Sequence, residues 1–433
     1  MFLNKIYKKL KRVVQAEAAE EGVLEGKVLR VPRQKHTLTR KDLSKNVLKV
    51  LYRLKKAGFD AFLVGGGVRD LLLNTHTKDY DVATNATPEE IAEFFANARI
   101  IGRRFRLVHI LFRGETIEVA TLRGEAAESD EALPRFGANN IFGTIEEDAW
   151  RRDFTINSLF YDIGDFSIID YTGGMKDLSK RLIRIIGEPQ ERFKEDPIRL
   201  LRALRFAAKL DFTLHQDTER AVKTMGDLLI PVSRSRLLLE FEKCCLSGYA
   251  ARAFPMLQRY DYLRYIFPDT ARLLSQADQP HYRQMINQSL ESTDQRYHSG
   301  KSLNPAFLIS VILWPVFQND LEKELNEKRF FQAVHAAITS TIDRQQQCVA
   351  VPKRYLGMIR SVWLLQYNLE KRRPKRIYSL LRHRYFRAGF DLLGLRAAVD
   401  PALQEVYDWW GQIQKTGPGK RDAMVDQLRV KKS

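Results

Sequence analysis

A chain of 433 residues can bury more than one core, which excludes a small binding module and predicts about two to four domains or one elongated multi-part body. Its 71 Lys and Arg against 53 Asp and Glu leave a net charge of +18, a field that draws polyanions, nucleic acid first and an anionic membrane surface by the same attraction, and that opposes dimerisation through charged faces, so a monomer is expected. Three cysteines, Cys244, Cys245 and Cys348, form neither a disulfide framework nor a zinc pattern, and a reducing cytoplasm is the expected compartment.

In chain order, residues 1–40 form a basic arm. Its opening, MFLNKIYKKLKRVV, spaces its apolar residues too widely for a secretory core; an amphipathic helix touching RNA or lipid and a solvated arm both remain open. Leu43 to Lys56 has apolar residues at helical spacing and stops at Gly58. A short strand is expected from about Phe59 to Gly65, a helix from about Val68 to Leu73, then a strand carrying Asp79 and Asp81. Thr87, Pro88 and Glu90 open another helix, and Arg106 to Phe112 pairs with Thr116 to Thr121 in a hairpin turned at Gly114. Residues 124–149 read as a loop excursion, Arg151 to Phe160 as regular structure entering a helix, and LIRIIG as a last small strand. From Asp196 onward the periodicity is helical. The apolar run from Phe307 to Trp314 is a core helix, far short of a membrane span. The expected architecture is α+β: a small mixed sheet with packed helices, followed by an elongated all-helical body. Divisions are placed at 1–40, 41–175, 176–255 and 256–433.

The chemistry begins at LVGGGVRDLLLNTHTKDYDV. Asp79 and Asp81 flank Tyr80, and strand alternation points both carboxylates to one side. Such a pair suits Mg²⁺, which takes hard oxygen ligands and commonly shares substrate phosphates, so phosphoryl chemistry leads over a solvated polar turn. Gly65, Gly66 and Gly67 can bring backbone N–H groups close to triphosphate oxygens at a helix start, although alone they are also an ordinary tight turn and match neither the spaced dinucleotide fingerprint nor the Walker loop. Arg69 is a phosphate candidate, with Asp70 as its cap or pair. Glu118, between inward-facing Ile117 and Val119, is the third acid or else a surface acid. Arg151 and Arg152 can fork onto phosphates, while Asp153 accepts from a ribose hydroxyl or orients an arginine; Asn157, four residues on, adds a hydroxyl or phosphate contact. The alternative is a surface ion-pair cluster with a core amide. Asp196, Arg199, Arg202 and Arg205 fall at i, i+3, i+6 and i+9, one slowly turning helical stripe able to address a base edge and phosphates, or else a salt-bridged face. Arg234 and Arg236 extend that basic wall. KRRPKRIYSLLRHRYFRAGFD interleaves Tyr378, Tyr385 and Phe386 with basic residues, a candidate RNA track unless the aromatics turn inward. His109 reads as a structural strand residue, and Arg104 and Arg106 as anion contacts.

Taken together, GGGVRDLLL, DYD, IEVAT, RRDFTINSLF, YTGGMKDL and EDPIRLLRALRFAAKL resemble the class II branch of the polymerase-beta-like nucleotidyltransferases, the family of bacterial CCA-adding enzymes and bacterial poly(A) polymerases. The resemblance spans about residues 40 to 250. Within that branch RRFRLVHILF, the basic arm, NPAFLISVILW and the basic C-terminal segment resemble gamma-proteobacterial poly(A) polymerases. The resemblance implies a polymerase-beta-like catalytic domain, a helical nucleotide-recognition neck and a helical RNA-binding body. It makes Asp79 and Asp81 metal-binding catalytic acids, with Glu118 and Asp153 as further catalytic acids. Gly65, Gly66, Arg69, Arg152, Asn157, Asp196, Arg199, Arg202 and Arg205 are the corresponding nucleotide-binding set, Asp196 and Arg199 reading the base. Mg²⁺ is the implied cofactor and ATP the substrate: AMP is joined to an RNA 3′-hydroxyl and pyrophosphate released, without a template. The rival is a CCA-adding tRNA nucleotidyltransferase, and a noncatalytic RNA-binding adaptor is a further alternative. RNA chaperones or RNA-decay machinery are implied partners. One departure is Leu122, where related chains often carry Phe.

Overall fold

The computed structural model describes residues 28–75, 77, 80–102, 106–124, 142–276 and 279–430. The opening of the basic arm, Asp79, Arg103, Arg104 and most of the predicted loop excursion lie outside the described residues. Two compact units form, one from residues up to Arg199 together with Leu210–Met225, the other from Leu200–Lys209 and the chain from Gly226 onward.

The first unit is built on a mixed sheet. Its strands are β1 (Leu29–Val31), β2 (Ala61–Val64), β3 (Tyr80–Thr84), β4 (Ala98–Ile101), β5 (Leu107–Phe112), β6 (Glu115–Thr121), β7 (Leu159–Asp162) and β8 (Ile168–Asp170), in the spatial order β1-β8-β7-β2-β3-β6-β5-β4. Only β3 and β6 run parallel; the other neighbours are antiparallel. The predicted hairpin is present, with Gly114 at φ +82° and Phe112 facing Glu115. Alternation gives the sheet two faces. Leu63, Val82, Ile117, Val119, Val108 and Ile110 are fully buried on one. On the other, Phe62, Val64, Ala83, Phe160 and Ile169 pack with Leu122 and Ala149.

Helices are set by local signals. Helix α1 (Lys45–Lys56) starts where the Ser44 hydroxyl accepts the Val47 N–H at 3.1 Å, and buries Val47, Val50, Leu51 and Leu54 along one stripe. Helix α2 (Gly66–Leu72) follows the glycine turn. Helices α3 (Pro88–Phe94) and α4 (Ile145–Arg151) each begin with a reciprocal cap, Thr87 with Glu90 and Thr144 with Glu147.

Two expectations fail locally. Arg151 to Phe160 does not enter a helix: α4 ends at Arg151, a 3₁₀ turn covers Thr155–Asn157, and the chain runs into β7. Leu159, Phe160 and Tyr161 are fully buried in a central strand, and a short apolar run of this kind has no period to separate it from a buried helix. LIRIIG gives the expected small strand, but it is not the last one and it lies outside the main sheet. Leu182–Ile183 pairs with Thr213–Leu214 in a separate two-stranded sheet, and Ile185 bridges Phe154.

The described part of the second unit is helical, without strands. The helix Pro305–Ile312 is buried along most of its length, and the Trp363 ring stacks on Phe317 at 4.7 Å with its indole N–H donating to the Ser310 carbonyl. A second cluster gathers Leu369, Phe386, Phe390, Leu393, Trp410 and Ile413. Among the described residues no helix is long and apolar enough to cross a membrane.

Candidate active site

Strand register assembles the acids. Asp81 on β3 lies directly beside Glu118 on β6, and Glu118 beside His109 on β5, so three neighbouring strands, each about 4.8 Å from the next, carry one row of ionisable side chains. Val64 continues the row beyond Asp81. Tyr80 and Val82 are buried on the opposite face, which leaves Asp81 on the partly open side. His109 Nε2 sits 3.5 Å from Glu118 Oε2. The histidine was read as a structural strand residue, yet it borders the third acid. The signal was legible: a two-residue turn at Arg113 and Gly114 pairs 112 with 115 and therefore 109 with 118. Asp79 lies outside the described residues, and among those described no group of three or more potential ligands converges to hold a metal. The donor chemistry of Asp81 and Glu118, two adjacent oxygen acids, suits a hard divalent cation.

The glycine turn is fitted to its neighbours. Gly65 has φ +68°, its N–H donates to the Leu159 carbonyl at 3.1 Å, and a Cβ there would stand 3.1 Å from an Arg152 Nη atom. Only glycine combines this conformation with this approach. Arg69, expected at a phosphate, is 2 % exposed and inward-facing. Its guanidinium pairs with Asp70 at 2.6 Å and donates to Asn157 Oδ1. Asn157 Nδ2 in turn donates to Asp153 Oδ1 at 3.1 Å, which also accepts the Phe154 N–H at 2.8 Å. Asp153 and Asn157 therefore meet, as their spacing predicted, but across a 3₁₀ turn and not along an α-helix.

Arg152 is held by Asp148 through two hydrogen bonds of 2.8 and 3.1 Å, its guanidinium lying 5.1 Å from the centre of the Phe160 ring. Arg151 donates to the Gly124 carbonyl. The carbonyls that end α4 are capped by a residue that sequence reasoning missed: one Arg192 nitrogen donates to Trp150, Arg151 and Arg152 at 3.3, 2.9 and 3.0 Å. Burial, with Arg199 nearby, lowers the Arg192 pKa from its usual value. Glu195, also missed, accepts from Arg192 at 2.6 Å and from Arg199 at 2.8 Å. Although burial raises its pKa, the hydrogen bond and charge of Arg199 and the charge of Arg192 bring the net value below the ordinary one.

The predicted four-residue stripe divides. Helix α5 (Gly174–Lys180) and helix α6 (Pro189–Glu195) precede it, and helix α7 runs Ile198–Leu210. Asp196 lies before α7 in extended backbone, its Oδ1 accepting the Ile198 N–H at 3.3 Å, so it caps the helix that carries Arg199. Arg202 belongs to the second unit and lies over the Phe206 ring at 5.4 Å. Arg205 is taken up there by Glu240, at 2.5 Å, both largely buried. Arg106, expected to meet anions, pairs with Glu89.

Within the second unit, part of the C-terminal basic run is tied into the fold. Arg372 pairs with Glu405 at 3.1 Å, Tyr378 donates to Asp422, and Phe386 is core. Arg384 lies over the Tyr385 ring at 4.5 Å, and Tyr385 is half-buried. Arg234 donates to the Gln346 carbonyl at 3.4 Å.

Three family descriptions match the chain in succession: "Poly A polymerase head domain" over residues 61–184, "Probable RNA and SrmB- binding site of polymerase A" over 211–274, and "Polymerase A arginine-rich C-terminus" over 326–433. Poly(A) polymerase I of Escherichia coli O6:H1 is 43% identical over 422 residues, 95% of this chain and 91% of its own. The CCA-adding enzyme of Lactobacillus helveticus is 40% identical over 213 residues, 49% of this chain and 53% of its own. The Bacillus stearothermophilus CCA-adding enzyme, solved in complex with CTP, shares the fold with a TM-score of 0.56 at 24% identity, covering 90% of this chain and 82% of that one.

Proposed function

The chain belongs to the poly(A) polymerase I family of nucleotidyltransferases, and from that premise we propose that it adds AMP from ATP to RNA 3′-hydroxyl ends without a template, releasing pyrophosphate. The observation that carries this reading is the reach of the likeness: the Escherichia coli poly(A) polymerase I matches 95% of the chain, body included, whereas the CCA-adding enzyme matches 49%.

Asp81 and its sequence neighbour Asp79 are the acids that would hold Mg²⁺, with Glu118 beside Asp81 as a further acid. When bound, the cation supplies Lewis acidity and neutralises charge on the triphosphate and leaving group. The chain's own residues do the positioning. Gly65 and Gly66 lie against the Arg152 and Arg69 guanidiniums, and Arg152, oriented by Asp148, offers its charge to the triphosphate beside that turn. Asp153, steadied by Asn157, faces the ribose; Asp196 and Arg199, with Arg202 one turn on, read the base. Arg69 acts by holding Asn157, and Arg205 by holding the second unit together. The new bond joins the RNA 3′-oxygen to the α-phosphorus, the bond to the β-phosphate oxygen breaks, and the hydroxyl proton leaves to Glu118. The protein works as a cytoplasmic monomer, beside RNA chaperones or decay machinery.

Purified protein with Mg²⁺, a short unstructured RNA and each nucleotide separately tests the reading. Long A tracts from ATP alone are expected. Completion of CCA on a trimmed tRNA without A tracts would identify the rival, and retention of RNA without any extension would identify a binding adaptor.

A further inference from the structure

Within the helical unit, away from every residue assigned above to catalysis, lies a cavity of about 590 Å³ between the helices Pro280–His298, Lys353–Lys371 and Phe386–Ala397. Its volume falls in the range of small-molecule sites. Arg296, Arg384 and Arg387 line it against one carboxylate, Asp391, which pairs with Arg387 at 3.0 Å. Tyr385 contributes an aromatic ring. Ser289 also lines it, 2 % exposed, and its hydroxyl has no hydrogen-bond partner among the described residues. That hydroxyl is enclosed, so Ser289 shapes the wall and is not a contact for a ligand in the cavity.

We infer that this cavity is a second nucleotide site, taking one phosphate-bearing nucleotide of a single-stranded RNA already engaged by the protein. The chemistry selects this ligand. Three guanidiniums call for anionic oxygens, and Arg forks onto phosphate. An acidic peptide would satisfy them too, but its acidic side chains bring neither donors for Asp391 nor a flat ring for Tyr385. A nucleotide carries both kinds of group: phosphate for the arginines, amino and hydroxyl donors for Asp391, and a base face for Tyr385. The inference rests on the RNA-extending reading for its choice of a strand; a free mononucleotide has the same chemistry, and the test separates them.

The full-length protein is photo-crosslinked with oligo(A) containing 8-azidoadenosine, and separately with 8-azido-ATP. Ser292→Trp, at an exposed position lining the cavity, narrows it without altering charge. Labelling of the Tyr385 peptide by oligo(A), abolished in Ser292→Trp, is expected. The KM for long A primers should rise roughly five- to tenfold, the loss of about one stacked base, while kcat and the extension of a four-nucleotide primer stay unchanged. Labelling by 8-azido-ATP alone would overturn the RNA source in favour of a mononucleotide, and absence of labelling by either would overturn the site. Extension of short primers by the unaltered protein reports on the catalytic reading separately.

Discussion

Asp81, half-open on the sheet with Glu118 at its flank, is the residue on which the proposed chemistry turns. Asp81→Asn keeps the shape and removes the charge, and extension should fall roughly 10²–10³-fold while RNA affinity is retained, as read by primer extension beside filter binding. Arg69 is different in kind. Its guanidinium is enclosed between Asp70 and Asn157, so Arg69→Met leaves a carboxylate without its ion partner and should destabilise the protein by about 3 kcal/mol, visible as a lowered Tm. Gly65→Ala forces a Cβ into a left-handed conformation and against Arg152; about 1–2 kcal/mol of stability should be lost, together with a raised KM for ATP as Arg152 is displaced. These roles differ because charge alone does not tell where a side chain points. Asp81 and Glu118 were legible as acids on strands, and the hairpin turn made even His109 readable. The Arg69–Asp70 pair was legible from adjacency, whereas Asn157 beside Arg69 and Glu240 beside Arg205 were not, since they lie 88 and 35 positions away.

Helix α4 shows how an element would carry the proposed function. It presents Arg151 and Arg152 at its end, Thr144 and Glu147 cap its start, and Arg192 closes its carbonyls. Thr144→Ala should cost about 1 kcal/mol, measured by denaturant titration, and raise the KM for ATP by loosening Arg152. The cap also titrates. The backbone N–H and hydroxyl of Thr144 hold the Glu147 pKa below its usual 4.5; its stabilisation is complete above pH 4.5 and is lost as pH falls through the lower folded value. At this scale the sequence was readable where periodicity or capping speaks, as in α1, α3 and the hairpin. It misled at FTINSLF, where tertiary burial turned an apolar run into β7, and at Asp196, whose expected place on a helical stripe became a cap because EDP breaks the chain before α7.

Across the whole molecule, a net charge of +18 makes RNA affinity an ionic matter. The logarithm of the binding constant should fall linearly with that of salt, by about 0.7 for each phosphate contacted, so affinity drops roughly tenfold or more between 50 and 200 mM; fluorescence anisotropy at several salt concentrations measures the slope. The α+β head and helical body were both foreseeable from the change of periodicity near Asp196, whereas the passage of α7 from one unit to the other left no compositional mark. The pairing of β1 with β8 bears on how the protein is made. Leu29 leaves the ribosome roughly 140 residues before its partner Asp170, a wait of roughly 7–28 s at about 5–20 residues per second. During translation the nascent head therefore carries a strand awaiting its mate, and slowing elongation between the two should increase its capture by chaperones and proteases.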